Sequence, residues 1–242
     1  MVQTAIIQTF FVNGSISILW FYFAFSIIKR GKDKPSNQMF FLFMFLTATG
    51  LMVNVAYRLI NQEYWNIILN KVTIFLSSFA IVFLFLFNLI ILKSDKVVGK
   101  YHKIVSILLW FLLCFGFFLF PSDSVTWYYN PAKPNDVGVP VWSMWFSLYG
   151  LIIDQGLFSM TLYIVAQIYR RFENPVLKKK YLWIIASIAL FDWILVGNFI
   201  FNALNDPTGR LIFMLSSLLA IPASILLYLG VKRDIGVHKK KS

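Results

Sequence analysis

One cysteine, Cys114, is all the thiol this chain has, which excludes an intramolecular disulfide and a cysteine-ligated zinc site. Histidine is almost as scarce: His102 and His238 lie far apart in the sequence, so no histidine metal centre is expected. No phosphate-cradling glycine loop, HExxH or dinucleotide fingerprint occurs, so no cofactor and no enzymatic activity are expected. Charge is sparse as well, at 13% of residues, and acids number 10 against 22 lysines and arginines. Met1 is followed by no basic stretch and no small-residue cleavage motif, so the first apolar segment is expected to be a retained helix.

What is present is apolar. Hydrophobic residues make up 59% of the 242 and the mean hydropathy is +0.73, far from an ordinary soluble domain. Seven apolar runs are long enough to cross a hydrocarbon core of roughly 30 Å as helix. They cover 5–28, 38–60, 72–92, 104–120, 141–169, 181–203 and 211–231. The runs are continuous, whereas a transmembrane barrel needs short alternating segments. The expected fold is all-α: one multi-pass seven-helix transmembrane domain over 1–242, in a cell membrane.

Basic residues cluster after every odd-numbered span. Lys29, Arg30, Lys32 and Lys34 follow the first; Lys93, Lys96, Lys100 and Lys103 the third; Arg170, Arg171 and Lys178 to Lys180 the fifth; Lys232, Arg233 and Lys239 to Lys241 the seventh. Only Arg58, Lys71, Lys133 and Arg210 fall on the other side. Basic loops stay cytoplasmic, so the N-terminus is expected outside and the C-terminus inside. The net charge of +12 then reflects topology and contact with anionic lipid headgroups at the cytoplasmic face, with no nucleic acid required.

Polar residues inside the runs are the candidates for function. A carboxylate at the bilayer centre costs about 2.5–3.5 kcal/mol on insertion scales, so Asp154 and Asp192 are expected to face the bundle interior. Counting inward from Arg170 and Lys180 at 1.5 Å per residue puts both near mid-membrane, within about 6 Å of each other along the normal. Asn198 and Asn202 share a helix face with i, i+4 spacing, and Asp192 lies close to that face. Asp154 falls on a stripe with Ser147, Gly150 and Thr161. Similar stripes carry Thr47, Gly50, Asn54 and Arg58 on the second helix, Ser77 and Asn88 on the third, and Asn13, Ser17 and Trp20 on the first. Asp154, Asp192, Asn198, Asn202, Asn54 and Asn88 are thus expected to form a polar or ligand-binding core; the competing account is hydrogen-bonded packing between helices.

Pro222 removes one backbone hydrogen bond from the seventh helix and is the expected hinge. The fourth run, broken only by Ser106 and Cys114, is expected at the periphery. The loop 121–141 holds four prolines and the aromatics Trp127, Tyr128 and Tyr129. It is expected to act as a lid over the bundle mouth or as an anchor at the headgroup interface.

The pattern has two familial comparisons. Microbial rhodopsins share the seven helices, but here RLIFMLSSLLAIPASILLYLGVKRD offers no lysine before Lys232, which removes the retinal attachment point. NKVTIFLSSFAIVFLFLFNLIIL, VWSMWFSLYGLIIDQGLFSMTLYIVAQIYRR and LKKKYLWIIASIAL give the chain a likeness to another group. It resembles the seven-transmembrane N-terminal sensor region of prokaryotic histidine kinases. That resemblance implies a ligand- or membrane-sensing bundle, and since no kinase segment follows, output through a separate cytoplasmic signalling protein. The alternative is a secondary transporter or proton-coupled carrier using midplane carboxylates. An aspartyl protease would need YD and GxGD where this chain has IID and LFDW.

Overall fold

The computed structural model describes residues 7–60, 62–128 and 138–231. A π-helical turn, Ile7–Asn13, runs into α1 (Gly14–Ile28). There follow α2 (Pro35–Tyr57), α3 (Glu63–Lys93), α4 (Asp95–Leu119), α5 (Met144–Arg171) and α6 (Pro175–Leu204). The last span is two pieces, α7 (Pro207–Ser217) and α8 (Ala220–Val231). Among the described residues, seven helical stretches are long and apolar enough to cross a membrane, as for a multi-pass membrane protein.

Several helices reach beyond the apolar runs. Asn174 starts α6 by accepting a hydrogen bond from the Val176 amide at 2.9 Å, ahead of Lys178 to Lys180. Helix α3 begins nine residues before the apolar run at 72, and its first turns bury Asn66, Asn70 and Lys71. Hydropathy stops at polar residues, whereas backbone hydrogen bonding does not. Helix α4 likewise starts at Asp95 but swivels at Gly99, whose φ of +59° lies where a side chain would be strained.

The loop between α4 and α5 contains structure that periodicity did not reveal. Strands β1 (Val125–Tyr128) and β2 (Val139–Trp142) pair antiparallel, with Trp127 opposite Pro140. Proline cannot donate to a ladder, and a two-stranded ribbon leaves it a free edge. The end of the bundle with this ribbon is called the hairpin end below; the opposite end carries Lys29 to Lys34, Lys93 to Lys103 and Arg170 to Lys180.

Six spans form a ring. Helix α1 packs on α2, α2 on α3, α3 on α5, α5 on α6, α6 on α8, and α8 closes against α1. Helix α4 lies outside, against α3 and α5. Only 17% of its apolar stretch is buried, against 61% for α3 at the centre of the packing. Its inward face is narrow: Cys114, Gly116 and Phe117 are buried, while Leu108, Leu112 and Leu119 are exposed. The seam between α1 and α8 is closed by Phe23 stacked on Tyr228 at 4.0 Å and by the Trp20 indole donating to Ser224 Oγ at 2.5 Å.

The seventh span is interrupted at Leu218 and Leu219, ahead of Pro222. Proline 222 has no N–H for the Leu218 carbonyl four residues back. Leu218 and Leu219 leave the α-helix and bond three residues back instead, to Leu215 and Ser216 at 3.3 and 3.0 Å.

Candidate functional site

The hairpin end is organised by Asn70. Its side-chain amide donates to Tyr57 Oη at 3.1 Å, and its oxygen accepts from the Trp142 indole at 3.0 Å. One buried side chain thus joins the end of α2, the first turns of α3 and strand β2. Beside it, the Lys71 ammonium donates to the Phe120 and Pro121 carbonyls at 2.9 and 3.2 Å, a cation set where α4 leaves carbonyls without helical partners.

Two arginines complete this end. Arg58, just past α2, donates through Nη1 to the Gly138 carbonyl and lies over the Tyr57 and Trp127 rings at 5.6 and 5.1 Å. Arg210, on α7, donates through Nη2 to the Pro140 carbonyl at 3.0 Å and through Nε to the Phe201 carbonyl at 3.3 Å. Carbonyls two residues apart along a strand are separated by about 7 Å, so the guanidiniums are neighbours. Among the described residues neither meets a carboxylate: the one ion pair there is Lys103–Asp95, and Asp206 accepts instead from the Gly209 amide as the cap of α7.

Behind these arginines the ring encloses a cavity of about 530 Å³, within the range of small-molecule sites. Its walls come from α1, α2, α3, α5, α6, α7, α8 and β2. Arg58, Arg210, Val139, Pro140 and Trp142 line the hairpin end, and Trp20, Phe43, Phe158 and Phe191 are among its apolar lining. Asn13, Asn54, Asn198 and Asn202 face it as well. Asn202 donates to both the side-chain and backbone oxygens of Asn198, at 2.8 and 2.9 Å.

The carboxylates stand apart from this space. Asp154 is buried at the α3–α5 contact, where Ser78 Oγ donates to its Oδ2 at 3.0 Å and Oδ1 has no partner among the described residues. Ser78 itself lines the cavity, so Asp154 sits one hydrogen bond behind the wall. Asp192 is half-buried and accepts from Gln155 Nε2, bridging α5 and α6. The two carboxylates therefore point to different partners. We expect Asp154→Asn, which keeps an acceptor for Ser78, to leave thermal unfolding in detergent nearly unchanged. Asp154→Leu, which orphans the buried hydroxyl, should cost about 1–3 kcal/mol in the same measurement.

Of the expected polar core, the structure brings Asn54, Asn198 and Asn202 together around the cavity, and leaves Asp154, Asp192 and Asn88 out of its lining. Asn88 is buried and donates to Leu84 O at 2.8 Å, bonding to its own helix. Of the loop aromatics, Trp127 is buried against Tyr57 and Arg58, Tyr128 is exposed, and Tyr129 lies outside the described residues. Strand β2 contributes Val139, Pro140 and Trp142 to the cavity lining. Sequence reasoning missed Asn70, Trp142 and the pairing of Arg58 with Arg210. The signal available was the shortage of arginine and lysine on the even-numbered loops, which made each one there worth asking about.

No known family's sequence model matches the chain, and no characterised protein matches it in sequence.

Proposed function

We propose that the protein is a membrane-integral receptor that binds a small ligand in the ring cavity and passes the binding event to its lysine-rich end. The observation that carries this reading is the position of Trp20. Its ring lines the cavity, and its indole N–H is bonded to Ser224, two residues beyond Pro222 in the broken seventh span. Movement of α7 against α8 would change the contact a ligand makes with that ring, and differential contact is the physical requirement for shifting a two-state equilibrium. By the rule that basic loops remain cytoplasmic, the hairpin end faces outward and the lysine-rich end faces the cytoplasm. Ligand then enters from outside, and a separate signalling protein reads the inner face, which is also bathed by anionic headgroups.

Two measurements test this. Single cysteines at Glu173 and Asp206 should react with a membrane-impermeant maleimide from opposite sides of intact cells, Asp206→Cys from outside; the buried Cys114 gives a low background. In nanodiscs, a small-molecule screen should find compounds that raise the unfolding temperature, and Ala220→Trp or Ile81→Trp, which fill the cavity, should remove the rise. Both cysteines labelling from one side, or stabilisation indifferent to both fillers, overturns the reading.

A second reading, proton-coupled transport, is favoured by one contact: Asp154 reaches the cavity wall through Ser78. It requires proteoliposome flux that Asp154→Asn abolishes.

A further inference from the structure

The cavity wall is layered, and the layers specify a ligand. From Arg58, just past α2, the residues lining the cavity inward along that helix are Tyr57, Asn54, Leu51, Thr47 and Phe43. At 1.5 Å per residue Asn54 lies about 6 Å below Arg58, and Phe43 about 22 Å below it. Helix α6 runs a similar order from the hairpin end inward: Asn202 and Asn198, with Phe201 and Phe199 between them, then Leu195, Ile194 and Phe191. Thr47 adds little to the lower wall as a polar group, because its hydroxyl donates to Phe43 O of its own helix at 2.9 Å. The two arginines sit towards the hairpin end, the asparagines come next with Phe199 and Phe201 among them, and the deeper lining is mostly aliphatic and aromatic, with Ser77, Ser78 and Ser217 interspersed.

Each upper layer is incomplete in itself. Among the described residues the guanidiniums of Arg58 and Arg210 donate to carbonyls and meet no carboxylate, and Arg58 Nε is buried without a hydrogen-bond partner there. Like charges side by side in a poorly hydrated wall repel, and a bound anion replaces that repulsion with charge-assisted hydrogen bonds. The Asn54 side chain lines the cavity and makes no hydrogen bond among the described residues.

We propose that the cavity binds a single-chain anionic amphiphile. Its carboxylate or phosphate lies between Arg58 and Arg210, its amide or ester linkage meets Asn54 and Asn198, and its hydrocarbon tail reaches Trp20, Phe43 and Phe158. This deepens the receptor reading and rests on it. Selectivity must come from the upper layers, because the tail finds an equally apolar surrounding in the bilayer.

The test uses the full chain in zwitterionic-lipid nanodiscs, with empty nanodiscs subtracted for partitioning. The probes are radiolabelled N-lauroylglycine, lauroyl lysophosphatidate and the uncharged N-lauroylethanolamine. Both anionic probes should bind saturably, and the uncharged one at least tenfold more weakly; whichever anion binds tighter identifies the headgroup. Arg58→Gln and Arg210→Gln should each lower N-lauroylglycine affinity at least tenfold, with Arg58→Lys intermediate. Retained weak binding of N-lauroylethanolamine shows that the variants are folded. Equal affinity for charged and uncharged probes, or indifference to both glutamine variants, overturns the amphiphile assignment and leaves a receptor for a neutral ligand. No saturable binding of any probe overturns the assignment too, and if the Ala220→Trp filler is then also without effect in the stability screen, the cavity reading falls with it.

Discussion

Asn70→Ala should unfold at a markedly lower temperature than the parent protein, with a loss of about 2–4 kcal/mol. The substitution removes the acceptor of the Trp142 indole and the donor to Tyr57 Oη together. Leaving a buried polar group unpaired costs about 1–3 kcal/mol, and two are affected here. Hydrogen bonds between membrane helices average nearer 0.6 kcal/mol in double-mutant cycles, because the separated helices find other partners. Asn70 is a less forgiving case, since it joins α2, α3 and β2 at one point and Trp142 is only 2% exposed. Trp142→Phe removes the orphaned donor, so the double variant should be less impaired than the sum of the singles. Thermal or denaturant unfolding of all three in one detergent measures the coupling. A strictly additive pair would show that the indole and the amide do not depend on one another.

Gly150→Val should be as damaging for the opposite reason. A Cβ placed on Gly150 of α5 would come within 2.0 Å of the Phe199 ring of α6, and further ring atoms lie at 2.4 and 2.8 Å. Phe199 is itself 1% exposed and packs on Trp142 with ring centroids 5.2 Å apart. The space open to it is the cavity it lines. Overpacking of this kind costs about 1–3 kcal/mol in a well-packed interior, and here the displaced ring also occupies ligand space. Both stability and N-lauroylglycine binding should therefore fall. Adding Phe199→Leu should recover most of the stability, because the smaller side chain vacates the volume that valine takes. Failure of that rescue would place the strain elsewhere.

The spans could be read from the sequence because each is a continuous apolar run, and lipid permits no other regular structure of that length. The peripheral place of α4 was legible for the same reason: a helix with almost no polar residue has little with which to address its neighbours. What escaped was polar. The first turns of α3 hold Asn70 and Lys71, which read as an interfacial loop until their partners are known, and those partners lie 13 to 72 residues away. Arg58 and Arg210 likewise read as ordinary loop charges, since only the register of β2 brings Gly138 and Pro140 between them. Aspartates drew notice by their cost in lipid, yet cost identifies a residue that must be paired, not one that must meet a ligand. Asp154 is paired with a serine and lies behind the wall; Asn54, Asn198 and Asn202, cheaper to bury, are the ones in the cavity.

The seam between α1 and α8 also sets an order of assembly. The contact from Trp20 to Ser224 spans 204 residues, so the first helix waits for the last to be synthesised before the ring can close. At roughly 5–20 residues per second that interval is about 10–40 s, during which the nascent bundle is an open groove with its future floor turned towards lipid. Any acyl chain residing there at closure would be trapped as a passenger, so the protein as first purified should carry cellular lipid that extraction and mass spectrometry can weigh.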